Sequence, residues 1–135
     1  MGNKSGFQEI EHTADAAIQV WGNTLPVLFQ QAAYGLYAVA GVQVLAGSST
    51  MRRFNLNAKD KESLLVAFLS ELLFYLNKEE MFQDINLKIN GERLFGQLRG
   101  RKVKEIQREI KAVTYHQMKI IQKDGRYQTD IVFDV

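Results

Sequence analysis

The chain has no cysteine, one proline (Pro26) and two histidines, His12 and His116. No apolar run approaches the ~18 residues that can cross a bilayer. Each shortage removes a class of protein. Without cysteine there is no disulfide scaffold, no thiol nucleophile, no Cys-ligated zinc and no iron–sulfur cluster. Two histidines are too few for a His-rich transition-metal site. Met1 to Gly6 is polar and carries no apolar signal core, so the expected compartment is the cytoplasm. The common catalytic signatures are missing too: no G-x-G-x-x-G, no G-x-S-x-G, no H-E-x-x-H and no EF-hand loop. Gly96–Lys102 (GQLRGRK) has the wrong glycine spacing for a phosphate loop, and no Ser or Thr follows its lysine.

What remains is an ordinary globular composition. The chain has 135 residues, 46% hydrophobic and 24% charged, which argues against disorder. A chain of this length buries roughly 68–70% of its unfolded surface and can sustain a core as a single domain over residues 1–135. Net charge is +2, from 17 basic and 15 acidic side chains, a surplus too slight for a whole-surface nucleic-acid binder. The distribution is uneven. Between Arg99 and Lys111 lie six cations (Arg99, Arg101, Lys102, Lys104, Arg108, Lys111) against Glu105 and Glu109. With Phe95 and Tyr115 outside this run, it lacks the aromatic interleaving of a single-strand groove and reads first as a solvated hairpin connection and second as a docking surface.

Periodicity gives the elements. Phe7–Ile10 and Ala16–Trp21 read as strands, the second with Ala16, Ile18 and Val20 alternating against Ala17, Gln19 and Trp21. Thr24 is a helix N-cap with Pro26 in the first turn, followed by Leu25, Leu28, Phe29, Ala32 and Leu36 at helical spacing and Gly41 as the stop. Leu45–Thr50 is the loosest stretch, and Met51–Ala58 alternates as a strand. Asp60 caps a second helix whose Leu65, Phe68, Leu69, Leu72 and Leu76 share a face that Leu64, Leu73 and Phe74 widen. Phe82–Ile89 and Arg93–Leu98 flank the hairpin signal Asn90-Gly91. Ile110–Thr114 and Gln117–Ile121 follow, and Asp124-Gly125 turns the chain into Tyr127–Phe133. The expected class is α+β: two main helices on a largely antiparallel or mixed sheet, in the order β-β-α-β-α and then several C-terminal strands.

Two segments could carry chemistry. Glu11-His12-Thr13-Ala14-Asp15 interrupts apolar strand sequence with four hydrogen-bonding side chains. It reads either as a polar turn bonding its own backbone, or as a strand-edge site with Asp15 as an anionic ligand and His12 as proton carrier or supporting donor. The second is the last strand, which stops at Asp134-Val135 without a polar tail. A carboxylate on Val135 beside Asp134, with Asp15 brought close, would make three converging anions that repel unless a cation intervenes. Oxygen donors of that kind suit Ca²⁺, Mg²⁺ or Mn²⁺. The alternative is a solvated strand end. In Lys111-Ala112-Val113-Thr114-Tyr115-His116, Lys111 reads as an ordinary strand-end lysine or a counter-charge to those carboxylates, and His116 as a structural hydrogen-bonder.

Together these segments resemble the archease family. The resemblance rests on EHTAD at Glu11–Asp15 and the strand ending in Trp21-Gly22. It continues through Thr24-Leu25 and Leu28-Phe29, ESLLVAFLSELLFYL at Glu62–Leu76, KAVTYH at Lys111–His116 and VFDV at Val132–Val135, in order over nearly the whole chain. It implies a small α+β accessory protein rather than an enzyme, with no catalytic residue of its own. Such a protein activates the GTP-dependent RtcB-type RNA ligase of tRNA splicing and RNA repair, promoting its guanylylation and multiple turnover. It also implies a divalent-metal site at Asp15, Asp134 and Val135, with His12, Lys111 and His116 as neighbours or partner-facing residues. RNA would be met indirectly, through the ligase, and a chaperone-like label attaches to the family fold. Competing readings are a small metal-dependent phosphoester hydrolase and a general chaperone-like binding module. One stretch departs from the family pattern. Where many relatives carry an acidic segment of the type G-E-P-x-D, this chain has Gly100-Arg101-Lys102-Val103-Lys104.

Overall fold

A computed structural model describes residues 4–10, 15–115 and 118–135. The order is β1 (Gly6–Ile10), β2 (Ala16–Gly22), α1 (Leu25–Ala40), β3 (Val42–Val44), β4 (Thr50–Asn57), α2 (Lys61–Asn77), β5 (Glu80–Asn90), β6 (Arg93–Ile106), β7 (Ala112–Val113), β8 (Ile121–Lys123) and β9 (Arg126–Asp134). This is the expected α+β order, and every strand pair is antiparallel.

The strands divide between two antiparallel sheets built on the same plan. In the first, long β9 is the centre: β2 flanks one side, while β8 and β7 share the other, and β1 extends the sheet beyond β2. In the second, β6 is the centre, with β5 along one side and β4 and β3 sharing the other. Each helix packs against strands of both sheets, so one continuous core joins them. Phe68 of α2 stacks on Phe29 of α1 at 5.9 Å and meets Phe54 of β4 edge-on at 6.3 Å, and Phe54 meets Phe82 of β5 at 5.5 Å.

Local chemistry sets the helix ends. Thr24 is extended (φ −135°), and its Oγ1 accepts the Val27 N–H at 3.2 Å. Gly41 closes α1 in the left-handed region (φ 61°), donating to the Ala38 carbonyl at 3.1 Å. Asp60 Oδ1 accepts the Ser63 N–H at 2.7 Å, and this bond to the ionised form holds its carboxyl below the ordinary value. Residues Gln30, Tyr34 and Tyr37, at helical spacing on α1, bond main-chain groups of β5. Gln30 Nε2 donates to the Ile85 carbonyl (2.9 Å), Tyr34 donates to the Gln83 carbonyl (3.5 Å), and the Tyr37 hydroxyl accepts the Phe82 N–H (3.1 Å). Among the described residues β5 pairs only with β6, so α1 serves as the cover of an open sheet edge.

Several boundaries differ from the sequence reading. Arg93–Leu98 is only the first part of β6, which continues to Ile106. The basic run therefore belongs in part to a strand rather than a solvated connection, because Arg101 and Val103 are half-buried while Lys102 and Lys104 face water. Charged residues on both faces masked that alternation. Strand β3 was hidden in three residues after the Gly41 stop. Ile110–Thr114 reduces to Ala112–Val113, and Met118–Ile120 lies outside any strand, β8 starting at Ile121. The first hairpin pairs Asn90 with Arg93, so its loop is Gly91-Glu92, one residue past the expected Asn-Gly. Asp124 (φ 54°) and Gly125 (φ 74°) do form the second loop, both left-handed as a tight hairpin with the right twist requires. Phe74 is 50% exposed rather than part of the buried face, with the Lys78 Nζ 4.5 Å over its ring.

Candidate metal end of the first sheet

The register of β2 on β9 decides the geometry. Ala16 pairs with Phe133 and Ala17 with Val132. Asp15 immediately precedes Ala16, and Asp134 immediately follows Phe133. The two aspartates therefore occupy corresponding places at one end of adjacent strands, although 119 positions (134 − 15) separate them in the chain. On the other side, β7 pairs Ala112 with Asp134 and Val113 with Phe133. The Lys111 N–H donates to the Asp134 carbonyl at 2.7 Å, and the Thr114 N–H to the Val132 carbonyl at 3.0 Å.

The anchor is hydrophobic. Ala16, Phe133 and Val113 form one buried row across the three strands. Because successive side chains in a strand point to opposite faces, burying that row turns Asp134 and its cross-strand neighbour Ala112 to the exposed side. Asp15 is half-buried, Lys111 is exposed, and Val135 is half-buried against the core. The strand end is thus held on both sides by backbone hydrogen bonds while its carboxylate reaches solvent.

Of the residues singled out from sequence, Asp15, Lys111, Asp134 and Val135 are brought to this one end. His12 and His116 lie outside the described residues, as does the rest of Glu11–Ala14. Among the described residues no group of three or more His, Asp or Glu side chains could hold a metal ion. A cation here would draw its donors from the oxygens of the two aspartates and of the main chain beside them. That all-oxygen donor set fits a hard divalent ion and not a soft one.

Glu62 escaped the sequence reading, where it appeared only as the first residue of the Glu62–Leu76 segment. Its Oε2 accepts the Ile120 N–H at 2.9 Å, tying Met118–Ile120 to the start of α2. With Met118 N–H donating to the Tyr115 carbonyl at 3.0 Å, this bond fixes the way out of the Lys111–Tyr115 segment. Only the apolar Ile120 beside charged residues hinted that its backbone would need a buried partner.

The fold and this end define a class: a two-sheet α+β protein whose central strand finishes between two neighbours, with aspartates paired at the tip. The chain belongs to the archease family, whose family model matches residues 7–135. It is 33% identical over 138 residues to the protein archease of Methanothermobacter thermautotrophicus, covering 96% of this chain and 99% of that one. It is 34% identical to that of Pyrococcus abyssi, covering 96% and 98%. Among solved structures it is similar to an archease described as a possible chaperone from Thermotoga maritima. There the TM-score is 0.73 at 26% identity, over 95% of this chain and 96% of that one. The solution structure of protein 1598 from Methanobacterium thermoautotrophicum gives a TM-score of 0.73 at 28% identity, over 96% and 99%. No helix among the described residues is long and apolar enough to cross a membrane.

Proposed function

We propose that this protein activates a GTP-dependent RtcB-type RNA ligase in tRNA splicing and RNA repair, promoting ligase guanylylation and multiple turnover. The working part is the tip of the first sheet, where Asp15 and Asp134 would hold a divalent ion together with a carboxylate at Val135. One observation carries the reading: the pairing of Ala16 with Phe133, which sets the two aspartates on adjacent strand ends in a family member. A bound Ca²⁺, Mg²⁺ or Mn²⁺ would supply positive charge to phosphate oxygens at the mouth of the ligase site. The chain's own residues hold and present that charge. The β2 and β7 ladders fix the direction of the Asp134 main chain, and Lys111 restrains its carbonyl.

The test is multiple-turnover ligation by a catalytic trace of RtcB-type ligase with excess RNA ends, GTP and Mn²⁺. Wild-type protein is expected to raise turnover. Asp15→Ala and Asp134→Ala are expected to keep the fold and lose the stimulation. A variant lengthened by one residue past Val135 is expected to lose it as well. Undiminished stimulation by both aspartate variants would sink the metal-end mechanism. Absence of stimulation by the wild type with its cognate ligase would sink the function itself.

A further inference from the structure

The second sheet has one face against the core and one face in water, and the watery face is not ordinary. Along β4, β5 and β6 the burial alternates cleanly: Phe54, Ile85, Leu87, Leu94 and Leu98 point inward, and their neighbours outward. The register then assembles the outer face from three separated segments. One row is Arg53–Gln97–Asn86, and the next is Asn55–Phe95–Lys88. Phe95 stands on the central strand, 41% exposed, where a solvated antiparallel sheet normally carries a polar residue. An open depression of about 540 Å³ adjoins its ring, lined by the three amides and the two cations of those rows.

The charges on this face are lopsided. Arg93 and Arg99 extend it along β6, so four cations face one carboxylate on these strands, that of Asp84. Arg99 donates to Ser49 Oγ (3.2 Å), and Arg93 to Asn57 Oδ1 (3.1 Å). Arg53 and Lys88, the two cations that line this depression with Phe95, are in no hydrogen bond or ion pair among the described residues. An uncompensated cation on each side of an exposed ring matches a ligand with alternating anionic and flat apolar parts. The amides of Asn55, Asn86 and Gln97 can both donate and accept, as base edges and a 2′-hydroxyl require.

From this placement we infer that the outer face of the second sheet binds single-stranded RNA, a base stacking on Phe95 and the flanking phosphates meeting Arg53 and Lys88. An acidic protein surface would use the cations but leave the ring and amides idle. A duplex would keep its bases from the ring. The inference does not rest on the ligase reading, because it uses a different sheet and no metal.

The experiment is fluorescence anisotropy with the full chain and a labelled, unstructured twelve-nucleotide RNA in EDTA. DNA of the same sequence, the RNA duplex and polyglutamate serve as competitors. Phe95→Ala is expected to weaken binding about 5- to 150-fold, the range that loss of one base–aromatic stack produces. Arg53→Glu with Lys88→Glu is expected to lower the slope of log affinity on log salt by about 1.4, two phosphates at ~0.7 each. All three side chains are exposed, so an unchanged melting temperature accompanies both results. Absence of binding by the wild type would overturn the inference, and so would full affinity in Phe95→Ala. Equal competition by DNA would overturn the RNA assignment, equal competition by duplex the stacking, and equal competition by polyglutamate would point to an acidic protein instead. With no ligase or divalent ion present, each of these failures leaves the metal-end reading standing.

Discussion

Removing one oxygen atom, by Tyr37→Phe, tests how α1 closes the open edge of β5. Tyr37 is 3% exposed, and its hydroxyl accepts the Phe82 N–H at 3.1 Å, with Phe82 itself fully buried. The substitution keeps the ring and strands that N–H, a desolvation penalty of about 1–3 kcal/mol. Relief from burying the phenol oxygen offsets part of it, so the expected loss is about 1–2 kcal/mol at pH 7. With a urea m-value near 1.5 kcal/mol/M, the midpoint should fall by about 1 M.

The same residue carries a pH signature. Burial chiefly, with the Glu80 charge adding and the Phe82 bond opposing, raises the Tyr37 phenol well above its ordinary 10.0. Above pH 10 the unfolded chain releases this proton and the folded chain keeps it, so the unfolded state binds fewer protons and stability falls as pH rises. The contribution is whole below pH 10 and declines by about 1.4 kcal/mol per pH unit above it. Tyr37→Phe has no such group, so its deficit against wild type should shrink to almost nothing by pH 11. Tyr34 is also raised, by burial first, but both proteins contain it and it cancels. Urea titrations of the two proteins at pH 7, 10 and 11 measure the difference. A deficit below about 0.3 kcal/mol at pH 7, or one that persists unchanged to pH 11, would refute the reasoning.

Three further outcomes follow from the packing. Phe68→Ala should cost about 3–5 kcal/mol, since its buried ring joins both helices to β4, and a loss under 2 would mean the core recloses around the gap. Thr24→Ala should cost about 1 kcal/mol by freeing the Val27 N–H, while Thr24→Ser should be close to neutral, both read by thermal unfolding. Glu62→Ala should leave the buried Ile120 N–H without its acceptor, destabilise the chain by about 1–3 kcal/mol and speed hydrogen exchange at that amide. Unchanged protection at Ile120 would show that Glu62 does not anchor the segment.

Where burial and charge fall in separate places, the sequence is readable. Helices α1 and α2 were legible because Thr24 and Asp60 cap runs whose leucines and phenylalanines recur every three to four residues. The Asp124-Gly125 turn was legible because its backbone needs left-handed angles at both residues. The far half of β6 was not, because Arg101 and Lys102 carry charge on both faces and erase the period of two.

Sequence alone thus determined the two helices, the longer alternating strands and which residues can donate oxygen or cation, since these depend on residue type and local spacing. Only the tertiary structure decided who meets whom. Asp15 and Asp134 come to neighbouring strand ends because β2 and β9 lock in one register around Ala16 and Phe133, and a slip of one residue would reverse the face of every side chain. In the same way Phe95, distant in sequence from Arg53, stands beside the row that holds it only because β6 fills the space between β4 and β5. Long-range register is fixed by the buried face as a whole, and no local stretch of sequence contains that information.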